Sequence, residues 1–400
     1  MVEPKLNLQT PDFNNTEIAF KSKTDGELIN SYYLFKAIGY NWLVKVGPSL
    51  VETAFKIKLP IKRIIKKTVF KQFCGGESID DCSKAINQLH NFGVGTILDY
   101  SVEGEEREEV FEATKNEILK TIEIASKERE KIPFSVFKTT GVARFALLEK
   151  VSAGKQLTVD EENEFLKAKE RINQICNTAY NNNVRIFIDA EESWIQQAID
   201  DFADEMMALY NKQKAIVYNT IQLYRHDRLA FLKKSHQKAI NGNYFLGVKL
   251  VRGAYMEKER LRAQEMNYQD PIQPNKQATD HDYDEALKYC IENINNISIC
   301  AGTHNEHSSA LLTQLMQKHQ LKPNDERIYF SQLYGMSDNL SFNLSNTGFK
   351  VAKYLPYGPV KAVLPYLFRR AQENTSVKGQ AGRELSLILQ EIKRRKHAKK

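Results

Sequence analysis

The chain has 400 residues, of which 42% are hydrophobic and 27% are charged, enough apolar material for a large folded core. Its net charge of +7 is modest for this length and favours anionic small molecules or an anionic surface without indicating nucleic-acid binding. Its five cysteines are widely spaced and include no CxxC motif, which is typical of reduced thiols in a cytoplasmic protein. The polar first fifteen residues and the absence of a long apolar run predict no signal peptide and no transmembrane segment.

The beginning of the chain is predicted to be helical. Four segments before residue 93 have the character of helices: Gly26–Phe35, Val51–Ile57, Ile61–Phe70 and Ile79–Phe92. We interpret residues 1–90 as a helical N-terminal arm.

Short runs rich in β-branched and aromatic residues then recur eight times. These predicted strands are Val94–Asp99, Phe134–Lys138, Val184–Asp189, Ala215–Gln222, Leu246–Arg252, Ile297–Ala301, Ile328–Gln332 and Lys350–Leu355. The predicted helices between them are Glu106–Lys127, Glu161–Ala179, Ser193–Asn211, Asp227–Ala239, Tyr283–Ile294 and Ser308–His319. Eight alternating units predict an α/β fold, a (β/α)8 TIM-type barrel over residues 91–385. We expect Tyr268–His281 to be a long irregular loop and residues 386–400 to be a basic C-terminal tail.

Barrel enzymes place their chemistry at the C-terminal ends of the strands, so the residues at those ends matter most. They are Asp99, Lys138, Asp189, Gln222, the segment Lys249–Tyr255, His304, Gln332 and Tyr354. Each of these ends carries a group that ionises or forms hydrogen bonds, which favours a ligand site at this face.

The fifth strand adds detail because its side chains alternate between two faces. Lys249, Val251 and Gly253 share one face, and Arg252 lies on the other. If the first face lines the barrel mouth, Lys249 directs a cation inward and Gly253 leaves room for a flat ligand. Arg252 would then point toward the helices, while the alternative is that Lys249 simply ends the strand in solvent.

Near the C-terminus, the segment Tyr366–Asn374 reads as a helix that carries two adjacent arginines, Arg369 and Arg370. Two guanidinium groups at one place suit a small carboxylate, which arginine can bind with two parallel hydrogen bonds. The alternative interpretation is a solvated basic face paired with Glu373.

Several other chemistries are disfavoured. The segment Phe92–Gly95 resembles half of a dinucleotide loop but precedes a strand instead of following one. The two histidines of Thr303–His307 are not in HExxH spacing and have no cysteine nearby, so we expect no metal site. Carboxylates at Asp189–Glu192, Asp99 and Glu103 would allow glycoside hydrolysis, but the chain has only two tryptophans to form a sugar platform.

Five motifs together resemble those of the proline dehydrogenase family, in the family's order. They are Ile188–Glu192, Lys249–Tyr255, Thr303–Asn305, Tyr354–Gly358 and Tyr366–Asn374. The resemblance covers about residues 90 to 380 and excludes the arm and the tail. It implies an FAD enzyme that oxidises L-proline to Δ1-pyrroline-5-carboxylate by hydride transfer to flavin N5 and passes the electrons to a quinone. The length matches a monofunctional member, without the aldehyde-oxidising domain of the bifunctional ones.

The resemblance also implies roles for particular residues. The substrate carboxylate would be held by Lys138, Arg369 and Arg370, and the ring would be walled by Tyr255, Leu333, Tyr354 and Tyr366. The cofactor would be held by Gln222, Lys249, Val251, Gly253, Ala254, Thr303, His304 and Asn305, with Lys249 near flavin N5. Asp189 and Tyr255 are the candidate catalytic residues, and we expect Asp189 to orient Lys138 or Tyr255. Glu103 matches a residue that pairs with an arginine, which makes it a candidate gate over Arg369.

Two positions bear on how closely the chain follows the family. Bifunctional members carry arginine where this chain has Lys249, which keeps the charge but loses the planar fork. Tyr354 is bulky where hydroxyproline-preferring relatives carry a smaller residue, so L-proline is favoured and a hydroxyproline dehydrogenase is the alternative. A barrel glycosidase and a non-catalytic ligand-binding barrel are the competing classes.

A quinone acceptor would lie in a membrane, which raises the question of how this chain would reach it. Ile61–Phe70 is a short basic amphipathic stretch, and Lys393–Lys400 is a basic tail. Either could bind an anionic leaflet, at about 1 kcal/mol per basic residue near the surface. We therefore expect a cytoplasmic protein and hypothesise peripheral contact with the inner membrane.

Overall fold

Eight parallel strands close into a barrel in chain order. The structure is a computed structural model and describes residues 10–57, 59–101, 106–376 and 380–399. The strands are β1 (Val94–Tyr100), β2 (Phe134–Lys138), β3 (Arg185–Asp189), β4 (Val217–Gln222), β5 (Leu246–Val251), β6 (Ile297–Gly302), β7 (Ile328–Leu333) and β8 (Val351–Tyr357). Pairing of β1 with β8 closes the ring. The predicted (β/α)8 TIM-type barrel is confirmed.

Helices precede the barrel, connect its strands and follow it. They are α1 (Thr16–Ala19), α2 (Asp25–Ile38), α3 (Asn41–Lys56), α4 (Lys62–Ile65), α5 (Lys71–Phe73), α6 (Ile79–His90), α7 (Glu108–Lys127), α8 (Phe145–Ser152), α9 (Val159–Asn181), α10 (Ser193–Tyr210), α11 (Arg228–Asn241), α12 (Met256–Met266), α13 (Lys276–Glu292), α14 (Glu306–Lys318), α15 (Asp338–Asn346), α16 (Val360–Ser376) and α17 (Gln380–Ala398). A π-helical turn, Lys66–Phe70, joins α4 to α5, and a 3-10 turn, Thr139–Gly141, follows β2. None of the helices in the described part of the chain has the length and apolarity needed to span a bilayer.

Aromatic side chains fill the lumen of the barrel. The ring of Phe134 stacks on Phe187 with centroids 4.4 Å apart. The rings of Tyr218 and Tyr329 meet Phe134 edge-on, and all four side chains are buried. Because side chains alternate along a strand, these residues share the inner face while neighbours such as Ile188 pack against the helices. The packed lumen forms the floor of any cavity at the strand ends.

The N-terminal arm packs against the last two helices of the chain. Phe20 and Phe35 of the arm share one buried apolar cluster with Leu367 of α16 and Leu387 of α17. Burial of apolar surface is the dominant favourable contribution to such packing. The arm, α16 and α17 therefore form one packed layer, and α16 is the helix that carries the two arginines.

The residues interpreted as a basic tail continue α17 as far as Ala398. Leu387 and Ile388 are buried, and Arg395 donates to the backbone oxygens of Phe20 and Lys23. Composition alone pointed to a tail because lysine and arginine dominate these last residues. The amphipathic pattern that buries the other face of α17 keeps most of the segment against the arm.

The prediction of an irregular loop over Tyr268–His281 was wrong in its second half. Helix α13 already begins at Lys276, where the side chain of Asn275 caps it by accepting a hydrogen bond from the backbone N–H of Ala278. Helix α12 was not predicted at all. Among its residues only Glu259 and Ala263 are buried, so it lacks the apolar stripe that marks an amphipathic helix.

Candidate active site

A cavity of about 590 Å³ opens at the C-terminal ends of the strands. Its lining includes sixteen predicted site residues: Lys138, Asp189, Gln222, Lys249, Val251, Gly253, Ala254, Tyr255, Thr303, His304, Asn305, Leu333, Tyr354, Tyr366, Arg369 and Arg370. Glu103, the candidate gate, lies outside the residues that the structure describes. The topology explains the convergence, because parallel strands in a closed barrel bring all their C-terminal ends to one mouth.

The cavity is strongly cationic. Seven lysine and arginine side chains line it, against three carboxylates, those of Asp99, Asp189 and Glu306. The imbalance of about four positive charges in a partly enclosed space favours an anionic ligand.

Lys249 lies inside the barrel mouth, as the alternation of β5 predicted. Its Nζ donates to Asp189 Oδ1 and, at 2.5 Å, to Tyr354 Oη. The ring of Phe187 lies 5.2 Å from Nζ, on the lumen side. Because the residue is only 5% exposed, this ammonium depends on Asp189 for charge compensation.

Asp189 bonds Lys249, a contact that we did not predict, and it also lies near Lys138, one of the two residues that we expected it to orient. Lys138 Nζ lies 3.7 Å from Asp189 Oδ2 and 3.9 Å from Asp99 Oδ1, so it sits between two carboxylates. Asp99 is fixed in turn by the Ser101 hydroxyl, which donates to Oδ2 at 3.0 Å. Two ammonium groups and two carboxylates thus form one alternating cluster on the cavity floor.

Tyr354 presents its ring and hydroxyl to the same cluster. Burial, together with the nearby Asp189 carboxylate, raises the pKa of Tyr354 well above its ordinary value of 10. The phenol is therefore neutral at physiological pH. Its hydroxyl is held by Lys249, which fixes the ring as a wall of the cavity.

Helix α16 contributes two arginines to the lining of the cavity. The guanidinium of Arg369 lies over the ring of Tyr255 at 5.8 Å, and that of Arg370 over the ring of Tyr366 at 5.1 Å. Arg370 is only 6% exposed, so the alternative of a solvated basic face is wrong for this residue. Stacking on aromatic rings restricts both side chains.

The β5 side of the cavity has the features of a site for a flat polar group. Gln222 is 2% exposed, and among the described residues its Oε1 has no hydrogen-bond partner. Gly253 has φ +138°, and a Cβ there would lie 2.5 Å from the ring of Tyr224. The glycine is therefore needed for backbone conformation and packing, in addition to the open space for which we predicted it.

Two of the residues in the segment Thr303–Asn305 are engaged in holding the loop itself. Thr303 Oγ1 accepts from Arg252 Nη1 at 2.7 Å and from the backbone N–H of Asn305 at 3.1 Å. The Asn305 side chain caps α14 by accepting from the Ser308 N–H. His304 also lines the cavity, and its ring Nδ1 lies 2.8 Å from the Ser337 hydroxyl oxygen.

His304 is an uncharged histidine. The pKa of His304 is lowered to about 3, chiefly by burial and in addition by the nearby cations of Lys353, Arg370 and Arg252. The described residues contain no cluster of three or more metal-binding side chains.

Arg252 points to the helical layer, as the alternation of β5 predicted. Its Nε donates to Asp280 Oδ1 of α13 at 2.7 Å, and Nη2 donates to the Ser308 hydroxyl of α14 at 2.9 Å. It lines the edge of the cavity while fixing two helices beside it.

Some lining residues were missed from the sequence. Thr220 stands two residues before Gln222 on the same face of β4, so the strand alternation could have identified it. Arg383 comes from α17 and pairs with Glu306 at 2.9 Å. No motif marks Arg383, because its position depends on packing of the C-terminal helix.

Comparisons with known proteins found a matching family model and several similar curated proteins. The family model described as "Proline dehydrogenase" matches residues 82–383. A curated Dictyostelium discoideum protein named "Proline dehydrogenase 1, mitochondrial" is 33% identical, over 95% of this chain and 74% of its own length. An Arabidopsis thaliana protein named "Proline dehydrogenase 2, mitochondrial" is 30% identical, over 98% of this chain and 92% of its own length. The "Carbapenem antibiotics biosynthesis protein CarD" of Pectobacterium carotovorum subsp. carotovorum is 33% identical, over 81% of this chain and 83% of its own length.

A solved structure supports the fold. The chain aligns with proline utilization A (PutA) from Bdellovibrio bacteriovorus, inactivated by N-propargylglycine, with a TM-score of 0.70 and 21% identity. The alignment covers 90% of this chain but only 38% of that longer protein.

Proposed function

Because this chain belongs to the proline dehydrogenase family, we propose that it oxidises L-proline to Δ1-pyrroline-5-carboxylate with FAD as its cofactor. In this reaction, the carbon next to the ring nitrogen gives up a hydride and the nitrogen gives up a proton, so that a C=N bond forms. The observation that carries the proposal is the cationic cavity that Arg369 and Arg370 line together with the Lys249–Asp189–Tyr354 cluster.

The substrate carboxylate would bind Arg369 and Arg370, with Lys138 contributing a third cation. Both guanidinium groups are held by aromatic stacking, so little side-chain freedom is lost when an anion binds. Clamping one end of a small rigid molecule fixes where its other end lies, and positioning of this kind supplies much of the catalytic advantage in hydride transfer. Tyr255, Leu333, Tyr354 and Tyr366 would contact the apolar ring and exclude water.

The cofactor would lie against β5, where the residues fit a flavin. The orphaned amide oxygen of Gln222 and the ammonium of Lys249 can bind the polar edge of the ring system. Val251, Gly253 and Ala254 would contact it, with the segment Thr303–Asn305 serving the rest of the dinucleotide. When bound, the flavin supplies the hydride acceptor, and the protein supplies orientation and charge stabilisation.

The proposed reaction is tested by the colour of the protein. Purified protein should be yellow and should bleach when L-proline is added without oxygen. Protein that is colourless and inactive with added FAD would overturn the proposal. Bleaching by trans-4-hydroxyproline alone would make the chain a hydroxyproline dehydrogenase instead. The fixed ring of Tyr354 disfavours that alternative, because a hydroxyl on the substrate ring would crowd it.

We propose that the electrons pass to a membrane quinone and that the arm provides the peripheral membrane contact. Among the residues that the structure describes, nineteen large hydrophobic side chains are exposed, and nine of them lie between Ile29 and Ile64. Trp42 is 64% exposed and Leu50 57%, and the exposed basic residues Arg63 and Lys67 belong to the same arm. This combination suits an anionic leaflet better than the C-terminal residues do, since Arg395 and Lys399 already pair with Asp25.

Liposome co-sedimentation tests this contact. Replacing Trp42 and Leu50 together by serine should abolish binding to anionic vesicles and leave proline oxidation with a soluble acceptor unchanged. The matched control replaces Leu261 and Met266, exposed apolar residues of α12, by serine. Equal vesicle binding by the two double variants would refute the assignment to the arm.

A further inference from the structure

The histidine in the cavity lining is held by a serine in an unusual backbone conformation. His304 Nδ1 and Ser337 Oγ lie 2.8 Å apart. Ser337 has φ 49° and ψ 45°, the left-handed conformation that glycine adopts readily and that most other residues avoid. Non-glycine residues in this conformation persist where the surroundings fix them, and they concentrate at functional sites.

The surroundings that fix Ser337 come from outside the barrel strands. The backbone N–H of Ser337 donates to Glu384 Oε1 of α17 at 2.5 Å, and Glu384 is only 5% exposed. The next residue, Asp338, forms ion pairs with Lys353 of β8 at 2.9 Å and with Lys23 of the arm at 3.0 Å. The arm, β8 and α17 therefore meet at Ser337 and Asp338, and Ser337 is the one that contacts His304.

We propose that Ser337 is the positioning residue of His304, held in its left-handed conformation by Glu384, so that the imidazole presents Nε2 to the dinucleotide cofactor. The proposal rests on the proposed function, because it requires a cofactor in the cavity. A hydroxyl can donate to or accept from a ring nitrogen, so the Ser337 bond to Nδ1 suits either tautomer of the neutral imidazole. What the bond fixes is the orientation of the ring, and with it the direction in which Nε2 points.

The competing explanation is that this network only stabilises the fold. The substitution Ser337→Gly distinguishes the two explanations. It removes the hydroxyl, and it also removes the strain of the left-handed backbone, because glycine adopts that conformation readily. Under the proposal, Ser337→Gly should weaken flavin binding while leaving the melting temperature unchanged or higher. A purely structural role predicts unchanged flavin affinity.

Flavin affinity is measured by titrating deflavinated protein with FAD and following the quenching of flavin fluorescence. Ser337→Ala and Ser337→Gly should each raise the FAD dissociation constant about fivefold, the effect of losing one hydrogen bond. Ser345→Ala is the matched control for the lost hydroxyl, because it lies on the same helix and bonds the Phe92 carbonyl. Gln320→Gly is the control for relief of a left-handed residue, with φ 55°. Both controls should bind FAD like the unmodified protein.

A double-mutant cycle then assigns the effect to the histidine. In a His304→Ala background, adding Ser337→Ala should change FAD affinity by less than about twofold, because the group that the serine positions is gone. A full fivefold loss in that background, or unchanged affinity in both Ser337 single variants, would overturn the proposal. If the unmodified protein binds no flavin at all, the proposed function fails instead.

Discussion

Glu191 offers a pH-dependent prediction because it is a buried carboxyl close to the candidate site. The residue is 3% exposed, and the backbone N–H and hydroxyl of Thr140 both donate to its carboxylate oxygens. Burial raises the pKa of Glu191 from an ordinary 4.5 to about 8, although the two hydrogen bonds from Thr140 act in the opposite direction. Replacing it with glutamine keeps the shape and the capacity to bond Thr140 but removes the ionisation.

The raised pKa sets the sign and size of the effect. Between pH 4.5 and about 8 the folded protein keeps the proton that the unfolded chain releases, so the folded state binds more protons. The stabilising contribution is complete below pH 4.5 and is lost as the pH rises through the folded pKa of about 8. Each pH unit in this window removes about 1.4 kcal/mol, for a total of roughly 4–5 kcal/mol. The variant Glu191→Gln should lose none of this stability as the pH rises, because its side chain does not ionise.

Thermal unfolding at pH 5, 6, 7, 8 and 9 measures the difference. For 400 residues the unfolding entropy is about 0.8 kcal/mol per kelvin, so the full effect corresponds to roughly 5 °C. The difference in melting temperature, Glu191→Gln minus unmodified protein, should increase from pH 5 to pH 8 and should stay constant above that pH. The exposed Glu292→Gln is the control and should run parallel to the unmodified protein. Parallel curves for Glu191→Gln as well would refute a pKa near 8.

Three further predictions concern the site and its supports. Arg370→Lys should raise the KM for L-proline about 10- to 100-fold with flavin still bound, because a stacked bidentate group becomes a single ammonium; an unchanged KM would refute the carboxylate clamp. Gly253→Ala should lower both the melting temperature and flavin affinity, since its Cβ would lie 2.5 Å from the Tyr224 ring, whereas Gly382→Ala, with open space, should do neither. Burial tends to raise the pKa of Asp338, but the ammonium groups of Lys23 and Lys353 outweigh burial and hold the pKa at about 2. The ionised carboxylate therefore stabilises the folded protein fully above pH 3.8, and this stabilisation is lost as the pH falls toward 2. Acid unfolding of Asp338→Asn should therefore converge with that of the unmodified protein only below about pH 2, and a constant difference would contradict this.

The barrel could be predicted because its strands carry a local signal. Runs such as Val184–Asp189 are short, β-branched and bounded by polar residues, and the structure has a strand at Arg185–Asp189. Helix α12 has no comparable signal, because long-range polar contacts hold it in place. Glu259 accepts from the Ser193 hydroxyl at 2.5 Å, and Lys258 pairs with Glu192. Such partners, more than sixty residues apart in sequence, cannot be read from local periodicity.

The site was predictable to the extent that its residues stand at strand ends or in recognisable motifs. Strand alternation alone directed Lys249 inward and Arg252 outward, and the contacts of both residues agree. The supporting roles of Glu384 and Lys353 were not predicted, because neither residue belongs to a recognisable motif or to the cavity lining. Their positions follow from how α17 and the arm pack on the barrel, which depends on tertiary contacts across almost the whole chain.

Tertiary contacts fix the direction of the Lys249 ammonium, a direction that the flexible lysine side chain does not have by itself. An arginine fork has a direction of its own because it is planar, whereas an ammonium on a flexible stem has none. Here Asp189 and Tyr354 accept two of its three N–H bonds, and the Phe187 ring lies 5.2 Å from the nitrogen. Since these partners stand on β3 and β8, the barrel itself fixes where the positive charge lies and leaves the third N–H for the cavity. We therefore propose that the role of Asp189 is to position the Lys249 ammonium.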